Sequence, residues 1–472
     1  MSPIDLYNAS PLISICALIF IVILIESLRK QSENVSYWVT VVGLMICASI
    51  SVATMGVSGS AFNQMVTVGG YANFFSTLFA VSALLSVILS REYLRRQHAH
   101  FGEFYLLILF STLGMMLMAA AADLIIIFLG LELMSVCLYV LAGFTRKREV
   151  SNESSLKYFL LGAFATGFLL YGIAFIYGAA GTTNIASIAD HFQRTVPSQF
   201  FWIGLGLLMV GFAFKVGAVP FHMWVPDVYQ GSPTTVSGFM STGGKAAAFS
   251  AFILVFAHAE FGASARIRTA LAVLSAASMI LGNIVALAQS NIKRMLAYSS
   301  IAHAGYMLTG LAAMNQLGRD GIMFYLIAYT FMNLGAFGVL SVLEREEERH
   351  LTFDDYAGLA SRKPFLAALM SVFMLSLAGI PPLAGFFGKY YLFVAAVQAN
   401  LTWLAIVGVL TTLVSVYYYL RLVMVMYFRD DAGTELVLPS RICIGTLALA
   451  ALMVIGLGIY PSSLLSIINS LH

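Results

Sequence analysis

Four ionisable side chains, Glu132, Lys215, Lys245 and Lys389, lie deep inside long apolar runs of the chain. A charge at the centre of a membrane helix costs about 2.5–3.5 kcal/mol on insertion scales, so four of them point to function rather than accident. Burial favours the neutral amine of a lysine over its charged form, whereas a nearby carboxylate favours the charged form. A carboxylate whose distance changes can therefore switch a proton on and off the amine. Arginine stays protonated and suits this chemistry less well. The pattern predicts a buried proton relay.

Three further polar residues are candidates for a proton path. His222 follows Lys215 by two helical turns on nearly the same face, and Tyr298 and His303 lie in the stretch "AYSSIAHAGYMLTG". Alternating hydroxyl and imidazole groups suit a hydrated path, but capping or helix–helix hydrogen bonds produce the same pattern. The four charges likewise admit a purely structural interpretation, in which paired or solvated groups only hold helices together.

The composition predicts the elements that position these residues. Of the 472 residues, 60% are hydrophobic and only 10% are charged, whereas a soluble domain usually has about 25% charged residues. Lipid leaves only helices or closed barrels, and apolar runs of about 20 residues favour helices. We therefore predict an all-α polytopic membrane protein with about 14 transmembrane helices. Asp123 is predicted to be the N-cap that divides the run at 105–143, and 364–398 is predicted to be one interrupted helix.

Two predicted helices are broken by proline near a lysine. Pro220 follows Lys215 by five residues, and Pro381 and Pro382 precede Lys389. Discontinuous helices form ion sites in transporters, because their free backbone groups line a cavity. These are the seventh predicted span, 200–225, and the twelfth, 364–398. They are five spans apart, and because five is an odd number a repeat of that size is inverted in the membrane. The predicted division is residues 1–100 (helices 1–3), 101–260 (first repeat, helices 4–8), 261–430 (second, inverted repeat, helices 9–13) and 431–472 (helix 14).

Charge and cysteine usage exclude several classes of protein. Seventeen Lys/Arg residues fall in loops after odd-numbered spans and four in loops after even-numbered spans, which predicts that both termini are periplasmic. The four cysteines are far apart and form no CxxC motif, so we expect no iron–sulfur cluster, haem or metal in this chain. The net charge of +3 is scattered over the loops, which argues against nucleic-acid binding, and there is no nucleotide loop or hydrophilic domain for an ATPase.

Three stretches together resemble a known family. "PFHMWVPDVYQGSPTTVSGFMSTGGKAAAF", "LGLELMSVCLYVLAGF" and "NIKRMLAYSSIAHAGYML" are similar to the antiporter-like membrane subunits of respiratory complex I, the NADH–quinone oxidoreductase. Within that family, "PDVYQGSP" and "GFFGKYY" most resemble the subunit N branch. The resemblance covers essentially the whole chain and is strongest over about 100–425.

The resemblance implies a role for each candidate residue. Glu132 and Lys215 would be the interacting pair of a first half-channel, Lys245 a central connecting lysine and Lys389 the terminal lysine of a second half-channel. His222 and Tyr298 fall at positions that the family lines with polar groups. Members hold no cofactor themselves, and other subunits of the complex carry FMN, iron–sulfur clusters and quinone. The implied location is the bacterial inner membrane, beside other antiporter-like and small membrane-arm subunits.

Two alternative functions stay open on the sequence alone. An Mrp-type sodium/proton antiporter subunit has the same fold and charges but is driven by ion gradients, and membrane subunits of hydrogenases are related. A membrane scaffold that transports nothing would tolerate neutral residues in place of the lysines. The subunits that accompany the chain distinguish an Mrp-type antiporter from a complex I subunit. Substitution of the lysines by neutral residues distinguishes a scaffold from a transporter.

Overall fold

The computed structural model describes residues 7–258, 264–344, 351–430 and 439–471, and these residues are almost entirely helical. A short antiparallel hairpin pairs β1 (Gly59–Ala61) with β2 (Val66–Val68), and a 3-10 turn covers Asp354–Tyr356. The helices are α1 (Ser10–Leu28), α2 (Glu33–Ala53), α3 (Gly70–Arg96), α4 (Glu103–Ala120), α5 (Leu124–Ala142), α6 (Glu149–Ala180), α7 (Ile185–Arg194), α8 (Gln199–Val216), α9 (Trp224–Gly231), α10 (Thr234–Phe256), α11 (Ala265–Leu287), α12 (Ile292–Ala313), α13 (Gln316–Leu343), α14 (Leu359–Arg362), α15 (Pro364–Ala378), α16 (Ala384–Gln398), α17 (Thr402–Phe428), α18 (Arg441–Ile459) and α19 (Pro461–Asn469).

The predicted all-α membrane architecture is confirmed. Within the described residues, twelve helices are long and apolar enough to cross a membrane. The other two predicted spans correspond to α12, whose second and third residues are basic, and to the half-helices α15 and α16. One predicted boundary is wrong: the seventh span was expected to run over 200–225, but α8 ends at Val216. The proposed division into domains is not tested by these helix boundaries and stays a prediction.

The boundary between α4 and α5 lies where the sequence indicated. The Asp123 side chain accepts a hydrogen bond from the Ile125 N–H at 2.8 Å and another from the Thr183 hydroxyl at 2.8 Å. An N-cap of this kind satisfies one of the free N–H groups of the first helical turn. Neither the hairpin nor the amphipathic helix α7 was predicted. Both contact this boundary: Val66 of the hairpin forms a backbone bridge with Ala121, and Asn184, which precedes α7, forms one with Asp123.

The two broken helices share the same local structure. Gly217 ends α8 and Gly379 ends α15, both with positive φ (76° and 86°), a conformation that glycine adopts without steric cost. At each end the glycine N–H and the next N–H bond back to the preceding turn, as in a Schellman motif. A proline with a cis peptide bond follows each glycine three residues later, at Pro220 and Pro382. The two glycine caps match the internal repeat that the sequence predicts.

The break after α8 is closed by a side chain from the second half-helix. The indole N–H of Trp224, the first residue of α9, donates to the Phe214 carbonyl at 2.9 Å. The Trp224 ring also stacks on Tyr158 of α6 at a centroid distance of 4.4 Å. The Phe214 carbonyl also accepts the Gly217 N–H at 3.1 Å, so the indole is a second donor to this carbonyl and links the two half-helices across the break.

Helices α10 and α13 form the centre of the molecule and are almost wholly buried. A π-helical turn, Met240–Gly244, interrupts α10 just before Lys245. Such turns are rare and occur often at functional sites, because they shift the register of the following side chains. Lys245 therefore follows an irregular turn at the centre of the molecule.

Candidate functional site

Lys215 lies at the C-terminal end of α8 and is only 6% exposed. Its ammonium donates hydrogen bonds to the Ser135 hydroxyl at 2.7 Å and to the Tyr139 hydroxyl at 3.2 Å, both on α5. The two acceptors are four residues apart and therefore lie on one face of that helix. The break after Val216 places the lysine where the helix ends, beside a polar stripe of its neighbour.

Glu132 lies on α5 one turn before Ser135 and is half-buried. Its carboxylate accepts a hydrogen bond from the Thr166 hydroxyl of α6 at 2.8 Å. The sequence predicted an interacting Glu132–Lys215 pair. Within the described residues the two groups form no direct ion pair and each is hydrogen-bonded to hydroxyls, but the Glu132 charge acts on Lys215 through space. Sequence reasoning did not identify the hydroxyl partners.

Lys245 is the first residue after the π turn of α10 and is 3% exposed. Its ammonium donates to both the carbonyl and the hydroxyl of Ser300, each at 2.5 Å, and lies 5.8 Å from the centre of the Tyr329 ring. The Asn333 side-chain amide, on the same helix as Tyr329, donates to the Tyr329 hydroxyl at 3.1 Å and to the Ser241 hydroxyl at 2.7 Å. Lys245 thus lies at the junction of α10, α12 and α13.

His303 is buried on α12, one turn after Ser300, and joins two tyrosines. Its Nδ1 hydrogen-bonds with the Tyr325 hydroxyl at 2.5 Å, and its Nε2 with the Tyr419 hydroxyl at 2.9 Å. A further hydrogen bond of 2.5 Å joins Tyr419 to Ser299. An imidazole between two hydroxyls has a donor and an acceptor in either tautomer, so it can pass a proton through the ring.

Lys389 lies in α16 and bridges the second break. Its ammonium donates to the carbonyls of Leu377 and Ala378, the last residues of α15, at 3.0 and 3.2 Å. It also lies 4.8 Å from the centre of the Tyr306 ring, close enough for a cation–π contact. The lysine is 4% exposed, and it supplies the donors that the end of α15 lacks.

Two of the predicted path residues lie apart from this network. His222 is half-buried in the turn between α8 and α9, and its Nδ1 has no hydrogen-bond partner among the described residues. Tyr298 is half-buried, and its ring lies beside the Arg294 guanidinium at 5.9 Å. Arg294 in turn donates to Asp227 of α9 at 2.7 Å. Tyr298 is thus associated with the ion pairs of the loop ends rather than with the buried lysines.

The network includes hydroxyl residues that sequence reasoning did not identify: Tyr325, Tyr329 and Tyr419. Tyr325 and Tyr329 are four residues apart on α13, a spacing that places both on the face turned toward α12. That spacing was the available signal, but hydroxyl groups in apolar helices are common and mark no function by themselves. Within the described residues the cysteines are free, and no cluster of three or more His, Cys, Asp or Glu side chains is suited to a metal.

His303→Phe is expected to destabilise the folded chain. The phenyl ring fills the imidazole space but leaves the Tyr325 hydroxyl unpaired and removes one partner of Tyr419, at a cost of about 1–3 kcal/mol for a buried unsatisfied group. His303→Gln, which can donate and accept, is the matched control and should unfold close to the native temperature. The measurement is thermal unfolding in detergent with a thiol-reactive dye that reports the buried Cys47, Cys137 and Cys443. Equal unfolding temperatures for the two variants would contradict the hydrogen-bonding role of His303.

Comparison with known proteins agrees with this architecture. A family model described as "NADH:quinone oxidoreductase/Mrp antiporter, TM" matches residues 121–415. The chain is 46% identical over 463 residues to "NADH-quinone oxidoreductase subunit N 1" of Chloroherpeton thalassium, covering 98% of this chain and 97% of that protein. It also matches a chain of respiratory complex I from Thermus thermophilus with bound aureothin, with 36% identity, a TM-score of 0.85, and coverage of 97% and 98%. A chain of the Mrp complex from Dietzia sp. has a TM-score of 0.85 at 19% identity, with coverage of 99% and 97%, and bears on the fold alone.

The fold and the buried lysines define the class: a multi-pass membrane subunit of the antiporter-like type, with two discontinuous helices that each have a lysine at the break. The chain belongs to the NADH:quinone oxidoreductase/Mrp antiporter family, where its relatives are NADH–quinone oxidoreductase N subunits. The resemblance inferred from the sequence motifs is thereby confirmed.

Proposed function

We propose that this chain is a proton-translocating membrane subunit of an NADH–quinone oxidoreductase, and that Lys215, Lys245 and Lys389 carry the protons. The observation behind the proposal is that all three ammonium groups are buried and hydrogen-bonded to hydroxyl or carbonyl oxygens, with no carboxylate in contact among the described residues. A neutral amine keeps two N–H donors and gains an acceptor, so these partners suit both protonation states. A direct ion pair would instead stabilise only the charged amine.

The polar groups between Lys245 and Lys389 form the proposed route between the two lysines. Ser300, which binds Lys245, is one helical turn before His303, and His303 contacts Tyr325 and Tyr419. Tyr306, the next turn of α12, lies against Lys389. Steps that no direct hydrogen bond covers require water in the polar region between α12, α13 and α16. In this route Glu132 adjusts the charge near Lys215, with the Thr166 hydroxyl setting the position of its carboxylate.

The proposal extends to partners and location. The chain would lie in the bacterial inner membrane with both termini periplasmic, as the distribution of basic residues indicates. Its neighbours would be the other membrane-arm subunits of the complex, including further antiporter-like ones. FMN, iron–sulfur clusters and quinone would belong to other subunits, and the energy of quinone reduction would reach this chain as an electrostatic or conformational change.

The test is to purify the complex through a tag on this chain and reconstitute it in liposomes that contain quinone. We expect flavin and iron–sulfur subunits to co-purify, and NADH oxidation to drive proton movement without added sodium ions. Copurification of small membrane subunits alone, with sodium-dependent proton exchange and no NADH oxidation, would overturn the proposal in favour of an Mrp-type antiporter. Uncoupler should abolish the proton gradient but leave NADH oxidation intact, which serves as the control.

A further inference from the structure

A basic cavity of about 430 Å³ opens at one end of the molecule, where α3 and α5 end and α4 and α6 begin. Four of its lining side chains are cationic, Arg96, Arg146, Lys147 and Arg148, whereas Glu103 is its one lining carboxylate. We propose that this cavity binds a phosphate group, and that in the membrane the phosphate belongs to the headgroup of an anionic phospholipid. The proposal does not require that the chain moves protons.

The inner wall of the cavity holds its guanidinium groups in fixed positions. Arg96 donates to the Ser341 and Val342 carbonyls at the end of α13, at 2.5 and 2.8 Å. The Arg148 guanidinium lies 3.8 Å from the carboxylate of Glu344, which is fully buried. Both arginines are therefore anchored on the protein side of the cavity, which reduces the conformational entropy lost when an anion binds.

The rim of the cavity is formed by the turn between α5 and α6. Arg146 and Lys147 are exposed there, and the Asn152 side-chain amide holds the turn by donating to the Arg146 carbonyl at 2.9 Å. The turn is further held by the hydrogen bond of 2.9 Å between the Thr145 and Ser151 hydroxyls. A phosphate group accepts two parallel hydrogen bonds from a guanidinium and a further one from an ammonium, which matches the cations of this rim.

The position of the cavity favours a lipid headgroup over free phosphate. It lies at the ends of four spans, and therefore at the depth where headgroups meet the protein. Two phenyl rings, those of Phe101 and Phe144, also line it, and Phe101 is 51% exposed. The glycerol and first methylene groups of a lipid can cover such a ring, whereas inorganic phosphate cannot. Basic pockets between helix ends on the cytoplasmic side are suited to anionic headgroups.

The cavity is linked to the helix that bears Lys245. The Glu344 carboxylate near Arg148 also accepts hydrogen bonds from the Tyr93 hydroxyl, at 3.2 Å, and from the Thr234 hydroxyl. Thr234 is the first residue of α10. A headgroup at Arg148 would thus lie two contacts from the start of α10, and we expect bound lipid to stabilise this end of the helix.

The test uses the whole complex, stripped of lipid in detergent and incubated with a photoreactive phosphatidylglycerol. Illumination is expected to label peptides within 96–103 or 144–148. The double variant Arg146→Ala/Lys147→Ala should lower this labelling by about tenfold or more, since each basic side chain near an anionic headgroup contributes roughly a factor of five. The matched control is Arg29→Ala/Lys30→Ala, which removes the same charge from another exposed loop and should leave the labelling unchanged.

Competition identifies the ligand. Unlabelled phosphatidylglycerol should compete, whereas phosphatidylcholine and inorganic phosphate at the same concentration should not. Equal competition by inorganic phosphate would overturn the assignment to a lipid and identify a free-phosphate site. Unchanged labelling in the double variant, or no labelling of the native complex because a neighbouring subunit covers the cavity, would overturn the binding site itself. Labelling can be measured whether or not the complex pumps protons, so failure of this proposal is distinct from failure of the proposed function.

Discussion

Lys245→Arg is expected to stop proton transfer through this chain while the complex still assembles. Arginine keeps the positive charge and can donate to the Ser300 carbonyl and hydroxyl, but it does not release its proton within a protein. Removal of a positioned proton-transfer group typically slows the step by about 10²–10⁴-fold. The protons moved per NADH oxidised, measured in liposomes, should therefore fall, and recovery of all subunits on a tag should stay the same.

Two companion variants make the result at Lys245 decisive. Lys245→Met removes the charge and the proton carrier together, so it should also lose pumping even if the larger arginine fails to fit. Lys30→Arg, in an exposed loop, is the same chemical change outside the network and should pump normally. A fully assembled Lys245→Met complex with an unchanged proton yield would show that the buried charge only holds helices together, which is the scaffold interpretation.

Lys389→Met is expected to abolish proton transfer and also to loosen the second break. The variant leaves the Leu377 and Ala378 carbonyls without their donor, and each buried unsatisfied group costs about 1–3 kcal/mol. Amide hydrogen exchange in the segment around 377–383 should therefore become faster. Lys389→Arg keeps a cationic donor, and the neighbouring cavity of about 630 Å³ that Lys389 lines offers room for the larger head. It should keep native exchange rates but still fail to pump.

The two variants at Lys389 distinguish its role in holding the helix break from its role in proton transfer. If Lys389→Arg pumps like the native complex, then release of a proton from this residue is not part of the mechanism. If Lys389→Met exchanges as slowly as the native chain, then the two carbonyl contacts do not hold the break. Exchange within α1, far along the chain from the break, provides the internal reference and should not change in either variant.

Much of the fold follows from the sequence because lipid restricts the chain to helices. Runs of about 20 apolar residues fixed the number of spans, and Asp123 marked the division between α4 and α5, since a carboxylate within an apolar run is most stable as a cap. The end of α8 was misplaced because Pro220 was taken as the break. Gly217 ends the helix three residues earlier, and a Schellman motif there is not obvious from composition. The hairpin and α7 were missed because both are short, polar elements outside the spans.

The site was predictable in its charges but not in its contacts. Buried lysines are conspicuous because charge in lipid is costly, and all three lie buried as expected. Their partners are hydroxyls and carbonyls, which occur throughout membrane helices and are selected only by three-dimensional packing. For the same reason the hydroxyl partners of Glu132 and Lys215 and the position of Tyr298 beside Arg294 were not apparent in the sequence.

The two helix breaks differ in the side chain that donates hydrogen bonds to the end of the first half-helix. At the first, the donor is the indole of Trp224, which stays neutral and keeps its single N–H at every physiological pH. At the second, the donor is the amine of Lys389, which makes two hydrogen bonds to carbonyls and has two N–H groups even when neutral. These bonds are charge-assisted only while the amine is protonated, so the second connection is weaker, although still made, when the amine is neutral. If Lys389 carries protons as proposed, the first break would keep the same strength throughout the cycle, whereas the second would be weaker each time its lysine is neutral.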